Sequence, residues 1–193
     1  MMADALSLNV TYRVDLSGGQ RRLKEAILYV AEKSQAMQLF DRIKLNKILW
    51  RADFRAFYER RQPVTGRTYQ RLPWGPALIE MLPVMQELMK EGALTEEARV
   101  HGGSTEYRPI AKAEPVLKFF SREDLEYLDE SIEHYRNMTG TERDDQAHGI
   151  AWKSRNDGDA IPYEAAYFED KPLPQASLER LARIARQRNL RSA

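Results

Sequence analysis

The sequence predicts an α+β fold that is mainly α: a compact helical domain with a central two-faced helix, a small β-hairpin and a C-terminal basic helix. Three observations lead to this expectation. Apolar residues recur at steps of three and four in five segments of the chain, which is the spacing of amphipathic helices. One of these segments is apolar on two sides. Two β-favouring runs flank Gly102-Gly103, a two-residue loop of the kind that closes a hairpin.

The first two helices are predicted over about residues 20–37 and 39–60. The first follows a loop at Ser17-Gly18-Gly19 and has a single apolar face. The second has two nearly opposite apolar faces, one formed by Leu45, Ile48, Leu49, Ala52 and Ala56, the other by Trp50, Phe54, Phe57 and Tyr58. A helix that is apolar on two sides belongs in the middle of its domain.

A basic stripe is predicted between those two faces, at Lys44, Lys47, Arg51 and Arg55. Such a stripe is typical of a solvated face, where the alkyl stems lie on the surface and the charged ends reach water. The alternative is a docking surface for an acidic partner. Asp53 lies between the same two apolar faces, on the side of the helix away from the basic stripe. Because burying an unpaired carboxylate is costly, we expect Asp53 to have a cationic or backbone partner and a structural role.

A short strand or extended segment is predicted over Arg67–Leu72, after a turn at Gln62–Gly66. Gly75-Pro76 then predicts the start of a third helix, since proline is favoured at the first helical position. We expect that helix to be kinked by Pro83 and to end at a left-handed cap, Gly92.

Tyr69, Arg71 and Trp74 cluster just before the third predicted helix and are candidate contacts for a partner. The amide-rich start of that helix is expected to accept an anion or a carboxylate. Trp74 is expected either to pack in the core or, if it is exposed beside an arginine, to form a protein-binding hot spot.

The hairpin is predicted from Glu97–His101 and Thr105–Ile110, with Ala98, Val100 and Tyr107 on its inner face. A helix followed by a hairpin is also the arrangement of a winged-helix domain, in which a recognition helix enters the major groove of DNA. A DNA-binding transcriptional regulator is therefore an alternative function.

Ser121 and Asp124 form a predicted capping pair for a helix that continues to about residue 135. A further short helix is predicted over 141–149. The turn-rich segment 152–159 and the extended Ile161-Pro162-Tyr163 are expected to close over the central helix.

The last predicted helix, Gln175–Asn189, makes the chain end strongly basic, with Arg180, Arg183, Arg186, Arg188 and Arg191. Part of this charge complements the helix dipole. The helix is also a candidate for gripping nucleic acid or an acidic protein, with Arg183 and Arg186 as candidate contacts. The predicted organisation is an N-terminal extension over residues 1–20, a domain over 21–170 and the basic helix over 171–193.

The composition argues against several classes of enzyme. The chain has no cysteine, and its three histidines are scattered without the spacing of metal ligands. A hydrolase that uses Asp53, or the group Asp144, Asp145 and His148, is a second alternative. A charged surface turn is the simpler interpretation of that group. We predict no catalytic residue, no metal and no cofactor.

The chain is expected to be a cytoplasmic protein, because it has no cysteine for disulfides and no signal peptide or membrane span. Thirty basic residues against 29 acidic ones give a net charge of +1, so nucleic-acid binding would need a local basic patch. No apolar run approaches the roughly 20 residues that a membrane span requires. The N-terminus lacks the basic and apolar segments of a signal peptide.

The most informative motif, Lys-Leu-x-Lys-Ile-Leu-Trp-x-Ala-Asp-Phe, spans residues 44–54 and is followed by Pro63–Gly66 and by Trp74-Gly75-Pro76. This pattern resembles the Panacea domain, also called the SocA-like antitoxin domain. The resemblance covers about residues 23–164. Later motifs agree with it: Leu125, Leu128-Asp129, His148, Ala151-Trp152 and Ile161-Pro162-Tyr163-Glu164.

The resemblance implies a bacterial or prophage antitoxin that holds a cognate toxin, encoded by an adjacent gene, in an inactive state. Neutralisation would occur by direct binding, with delivery of the toxin to a protease as a family variant, and neither route needs a catalytic residue. Toxins of the family are diverse and include enzymes that modify transfer RNA, so the resemblance does not name the partner. Operator DNA is an additional candidate partner, because antitoxins often repress their own operons.

Overall fold

A computed structural model of the chain describes residues 10–101, 103–139, 149–167 and 183. Within these ranges the helices are α1 (Gly19–Lys33), α2 (Arg42–Arg60), α3 (Met81–Lys90), α4 (Arg122–Tyr135) and α5 (Ile150–Lys153). The strands are β1 (Tyr69–Leu72), β2 (Gly75–Leu78), β3 (Leu94–His101), β4 (Ser104–Ala111) and β5 (Ala160–Ile161). Two 3-10 helices cover Leu117–Phe119 and Tyr163–Tyr167. Helices outweigh strands, which confirms the predicted mainly α, α+β fold.

Helix α2 runs through the middle of the fold, as its two apolar faces predict. Asp41 caps its start by accepting a hydrogen bond from the Lys44 amide at 2.6 Å. The helix contacts α4, β2 and the second 3-10 helix. Leu45, Ile48 and Leu49 have no exposed surface, and burial of such side chains stabilises the fold by roughly 1.5–3 kcal/mol each.

The segment after Trp74 is a strand, so the helix predicted from Gly75-Pro76 is wrong. β2 pairs antiparallel with β1 across a two-residue turn, with Leu72 opposite Gly75. The order of the sheet is β2-β1-β5, which puts β2 at an edge. Proline is tolerated at an edge because no neighbouring strand there needs its missing N–H.

Helix α3 contains Pro83 as its third residue. Amides of the first turn have no acceptor within a helix, so this proline removes no hydrogen bond and the reason for expecting a kink does not apply. The predicted cap is confirmed. Gly92 has a φ of 72°, its N–H donates to the Met89 carbonyl at 3.1 Å, and the Ala93 N–H donates to the Leu88 carbonyl at 2.9 Å.

Strands β3 and β4 form the predicted hairpin with its two-residue turn. Its base is covered, because Leu94 is buried and the buried Arg108 donates to the Met37 carbonyl at 2.7 Å. The expected inner face is wrong, because its three members are exposed: Ala98, Val100 and Tyr107. The outer half of the hairpin therefore lies in solvent.

Asp124 joins α4 to the helices beside it. Its carboxylate accepts a hydrogen bond from the Ser121 amide at 2.8 Å, which completes the predicted capping box. Arg22 of α1 donates to the same carboxylate at 2.7 Å, and Arg60 of α2 also donates to it. Burial acts to raise the pKa of Asp124, but the hydrogen bonds from Arg60 and from the Ser121 amide outweigh burial and lower the pKa.

Residues 160–167 close over α2, as predicted for the Ile161-Pro162-Tyr163 segment. Tyr163 stacks on Phe57 of α2 with ring centroids 5.2 Å apart. The segment before α1 also takes part, because the Thr11 carbonyl accepts a hydrogen bond from the Tyr163 amide at 2.8 Å. The domain boundaries proposed near residues 20 and 170 stay predictions.

Candidate functional site

Asp53, from the central motif, lies in a buried polar cluster. Its carboxylate accepts hydrogen bonds from the Thr65 amide at 2.5 Å, from the Thr65 hydroxyl and from the Tyr69 hydroxyl at 2.8 Å. The Tyr163 hydroxyl donates to the Arg67 carbonyl at 2.7 Å and lies 3.5 Å from the same Asp53 oxygen as Tyr69. The expected backbone partner is therefore present, and hydroxyl groups take the place of the expected cation.

The Asp53 cluster is closed to solvent. Asp53 has no exposed surface, and Tyr69 and Tyr163 are each 1% exposed. Burial raises the pKa of Asp53 to about 6, although the hydrogen bonds from Thr65 act to lower it. Burial also raises the pKa of both tyrosines. A substrate cannot reach this carboxylate in the structure, which argues for a structural role and against a hydrolytic centre here.

The basic stripe of α2 is divided between the interior and the surface. Lys44 and Lys47 have no exposed surface, so the expectation that they face solvent or a partner is wrong. The chain beyond α4 covers this part of the helix, where Lys44 Nζ donates to the Met138 carbonyl at 3.0 Å. Arg51 and Arg55 lie further along α2 and stay partly exposed.

Arg51 and Arg55 line an open cavity of about 390 Å³, here called the α2 cavity. Its other lining residues are Trp50, Phe54, Tyr58, His134, Tyr135 and Ala166. The Trp50 and Phe54 rings stack with centroids 3.4 Å apart, and Tyr58 is 53% exposed. Periodicity placed these aromatic residues on one face of α2 but did not indicate that the face borders a cavity. Its size suits a small ligand or a few side chains of a partner.

The two arginines of the α2 cavity differ in their partners. Arg55 pairs with Glu59 at 2.9 Å and with Glu130 at 2.5 Å. Arg51 Nε is buried and has no hydrogen-bond partner in the described part of the chain. Burial, followed by the charge of Arg55, lowers the pKa of Arg51, and burial together with both arginines lowers the pKa of His134. The cavity thus presents a poorly solvated cation among aromatic rings, which favours an anionic group.

The β1–β2 turn separates the three residues predicted to cluster before α3. Tyr69 is buried and cannot contact a partner in this structure, so its prediction as a contact is wrong. The Arg71 guanidinium lies 4.1 Å from the Trp152 ring. Trp74 is 68% exposed at the tip of the turn, so its expected packing in the core is wrong and the hot-spot alternative stays open. The expected anion site is wrong too, because residues 75–78 form a strand and no helix starts there.

The remaining candidates lie mostly outside the described residues. Arg183 is exposed. Outside them lie Arg186, the rest of the C-terminal helix and residues 141–148 of the predicted short helix, which include Asp144, Asp145 and His148. Across the described ranges, no three His, Asp or Glu side chains are grouped to hold a metal ion. No helix of those same ranges is both long and apolar enough to cross a membrane.

Comparison with known families bears directly on the central motif. A family model described as antitoxin SocA-like, Panacea domain, matches residues 45–153, which is more than half of the chain. The chain belongs to the Panacea family. The predicted resemblance is therefore confirmed. Comparison with curated proteins and with solved structures returned no match.

The Panacea match begins in α2 and ends with α5. It includes Asp53, the Trp74 turn and every lining residue of the α2 cavity except Ala166. Membership of this family supports an antitoxin role and implies a toxin as partner.

Proposed function

We propose that this Panacea protein neutralises a cognate toxin by direct protein-protein binding, without catalysis. The family match over residues 45–153 is the observation that carries the proposal. Two features of the described residues support it. The motif carboxylate, Asp53, is sealed in the core, and a cavity lined by aromatic and cationic groups stays open on the same helix. Binding a partner requires such a surface and no reactive group.

Two surfaces are the proposed toxin contacts. The first is the α2 cavity with Arg51 and Arg55, and the second is the exposed Trp74 at the β1–β2 turn. Tryptophan, tyrosine and arginine are the residues most enriched among those that dominate binding energy in protein interfaces. The basic C-terminal helix, with Arg183 and Arg186, is a third candidate contact.

The experiment that tests this function is co-expression of the protein with the product of its adjacent gene. We expect the neighbour alone to stop growth of the host, the pair to grow normally and the two proteins to purify as a stable complex. Growth without a complex, accompanied by loss of the neighbour, would indicate delivery to a protease. Repeating the assay in a protease-deficient host distinguishes the two routes. A neighbour that is harmless when expressed alone would contradict the antitoxin proposal for this pair.

A DNA-binding regulator is the second candidate, because α3 is followed by a hairpin whose outer half is exposed. The exposed positions of α3 disfavour it. They carry Leu82, Pro83, Gln86 and Lys90, and the partly exposed Glu87 adds negative charge. A recognition helix needs several basic or amide side chains toward the base edges and phosphates. Steep loss of duplex binding with rising salt would support this candidate.

A further inference from the structure

We infer that the α2 cavity binds a side-chain carboxylate next to an aromatic residue in an acidic segment of the protein partner, with Arg51 holding the carboxylate. The inference rests on the proposed function and names the chemistry of one contact. Its subject is the site lined by Trp50, Arg51, Phe54, Arg55, Tyr58, His134 and Tyr135.

The need for an anion comes from Arg51. Its neighbour Arg55 is already paired with Glu59 and Glu130, whereas Arg51 Nε is buried without a hydrogen-bond partner in the described residues. A buried donor that lacks an acceptor is costly, and a charged donor more so. A carboxylate bound at the part of Arg51 that lines the cavity would stabilise this poorly solvated charge, because hydrogen bonds between a carboxylate and a guanidinium are strong.

The aromatic side chains that line the cavity favour an aromatic residue next to the carboxylate in the bound segment. Trp50 and Phe54 stack on one side, and Tyr58 leaves 53% of its surface open to solvent. A ring placed against these side chains gains offset or edge-to-face contacts in addition to its apolar burial. The cavity volume of about 390 Å³ has room for a few side chains but not for a folded element.

Charge around the cavity favours an acidic protein segment over nucleic acid. Glu59 and Glu130, which bind Arg55, are 42% and 51% exposed and would repel a continuous phosphate backbone. A phosphate backbone is usually bound by several cations in a row. Arg51 is the one cation of the cavity that forms no ion pair with a carboxylate of the described residues, and the charges of Glu59 and Glu130 already act on it. With one such cation and two nearby glutamates, the cavity suits a segment that carries one or two carboxylates.

The probe is the acetylated and amidated tetrapeptide glycine-phenylalanine-glutamate-glycine, and its matched control has glutamine in place of glutamate. The three tryptophans give three indole N–H signals in a proton-nitrogen NMR spectrum, and Trp50→Phe identifies the signal of Trp50. We expect the glutamate peptide to shift the Trp50 signal and to bind at least tenfold more tightly than the glutamine peptide. Equal binding, no binding at millimolar concentration, or shifts confined to Trp74 and Trp152 would contradict the inference.

Variants of the full chain locate the contact. Arg51→Gln should lower the affinity for the glutamate peptide to that of the glutamine peptide. Tyr58→Ala, at an exposed position that puts little of the core at risk, should weaken both peptides alike. Arg122→Gln replaces an arginine outside the cavity whose side chain is 94% exposed, and it should change neither affinity. A tenfold preference that survives Arg51→Gln would overturn the assignment of Arg51.

Co-expression with the toxin separates this inference from the proposed function. If the unsubstituted protein restores growth and the Arg51→Gln variant does not, while the NMR spectrum of the variant stays dispersed, the proposed function and the cavity contact are both supported. If both proteins restore growth equally and form equally stable complexes, the function stands and the cavity contact is wrong. If the unsubstituted protein fails to restore growth, the antitoxin function fails, and the peptide titration alone decides what the cavity binds.

Discussion

Burial divides the charged residues of α2 into two groups with different uses. Asp53, Lys44 and Lys47 have no exposed surface and serve the fold. Arg51 and Arg55 line the α2 cavity, where we propose that a partner binds. A charged side chain in the interior is stabilising only while its partners are present, so substitutions in the first group report on folding and those in the second on binding.

Asp53 should make stability depend on pH. Its folded pKa of about 6 lies above its ordinary value of 3.8, so its contribution is fully favourable below pH 3.8 and is lost as the pH rises through about 6. In Asp53→Asn this dependence is absent. From pH 4 to pH 7 the free energy of unfolding of the unsubstituted protein should therefore fall by about 2 kcal/mol relative to that of the variant.

Urea denaturation of the two proteins across that pH range measures this difference. A constant offset between them is expected from altered hydrogen bonds to Thr65 and Tyr69 and does not affect the comparison. Parallel pH profiles would show that Asp53 has no raised pKa in the folded protein.

Lys47→Glu tests the interior position of the stripe. It reverses a charge at a position with no exposed surface, so we expect the free energy of unfolding to fall by about 3 kcal/mol or more. Arg55→Glu, at a partly exposed position of the same helix, is the matched control and should cost less. Thermal and urea denaturation give both values. Equal, small losses would place Lys47 at the surface.

At the scale of elements, backbone geometry decides where turns and helices begin and end. The Pro73-Trp74 turn lets β2 pair with β1, and Gly92 ends α3 in the left-handed region. Gly66 follows the motif threonine, Thr65, and its carbonyl accepts a hydrogen bond from the Val14 amide at 2.9 Å. The segment before α1 therefore packs closely against the loop that serves Asp53.

Gly66→Ala and Gly92→Ala form a matched pair, because both glycines have a φ of 72°. A Cβ at Gly92 would meet nothing within 4 Å, whereas one at Gly66 would lie 2.2 Å from the Val14 carbonyl oxygen. Gly92→Ala should cost about 1–2 kcal/mol from backbone strain alone. Gly66→Ala should cost a further 1–3 kcal/mol or so from the clash. Equal losses in chemical denaturation would mean that residue 14 does not pack on this loop.

At the scale of the whole molecule, the interior and the proposed partner-binding surface are formed by the same elements. The Asp124 pairs with Arg22 and Arg60 hold α1, α2 and α4 together. The α2 cavity lies between α2, the end of α4 and the second 3-10 helix. A toxin bound there would contact three elements at once. Because the toxin would bind the folded state and not the unfolded state, its binding would stabilise the protein.

Trp74→Ala tests the second surface. Because Trp74 is 68% exposed, the free energy of unfolding should change by no more than about 0.5 kcal/mol. The Kd of the toxin complex should rise about 30-fold, the effect of losing a hot spot worth about 2 kcal/mol. Val100→Ala, at an exposed apolar residue of the other hairpin, is the control and should leave the Kd unchanged. Titration calorimetry measures both, and an unchanged Kd for Trp74→Ala would remove the turn from the interface.

Local pattern was enough for several elements of the fold and for the family. Periodicity located α1, α2 and α4, the Gly102-Gly103 pair located the hairpin, and Ser121 with Asp124 located a helix start. These features depend on residues a few positions apart. Gly75-Pro76 failed as a helix start because the same pair also suits an edge strand, and pairing with β1 decides between the two.

The sequence by itself determined the fold class, the central position of α2 and membership of the Panacea family, because each follows from short-range spacing and motif. Only the tertiary structure decided which charged side chains are buried and which groups they contact. The buried Lys44 donates a hydrogen bond to the carbonyl of Met138, 94 residues away in the chain, and Asp53 accepts hydrogen bonds from Thr65 and Tyr69. Helical spacing places side chains around an axis, but which sides are covered depends on chain segments that are distant in sequence.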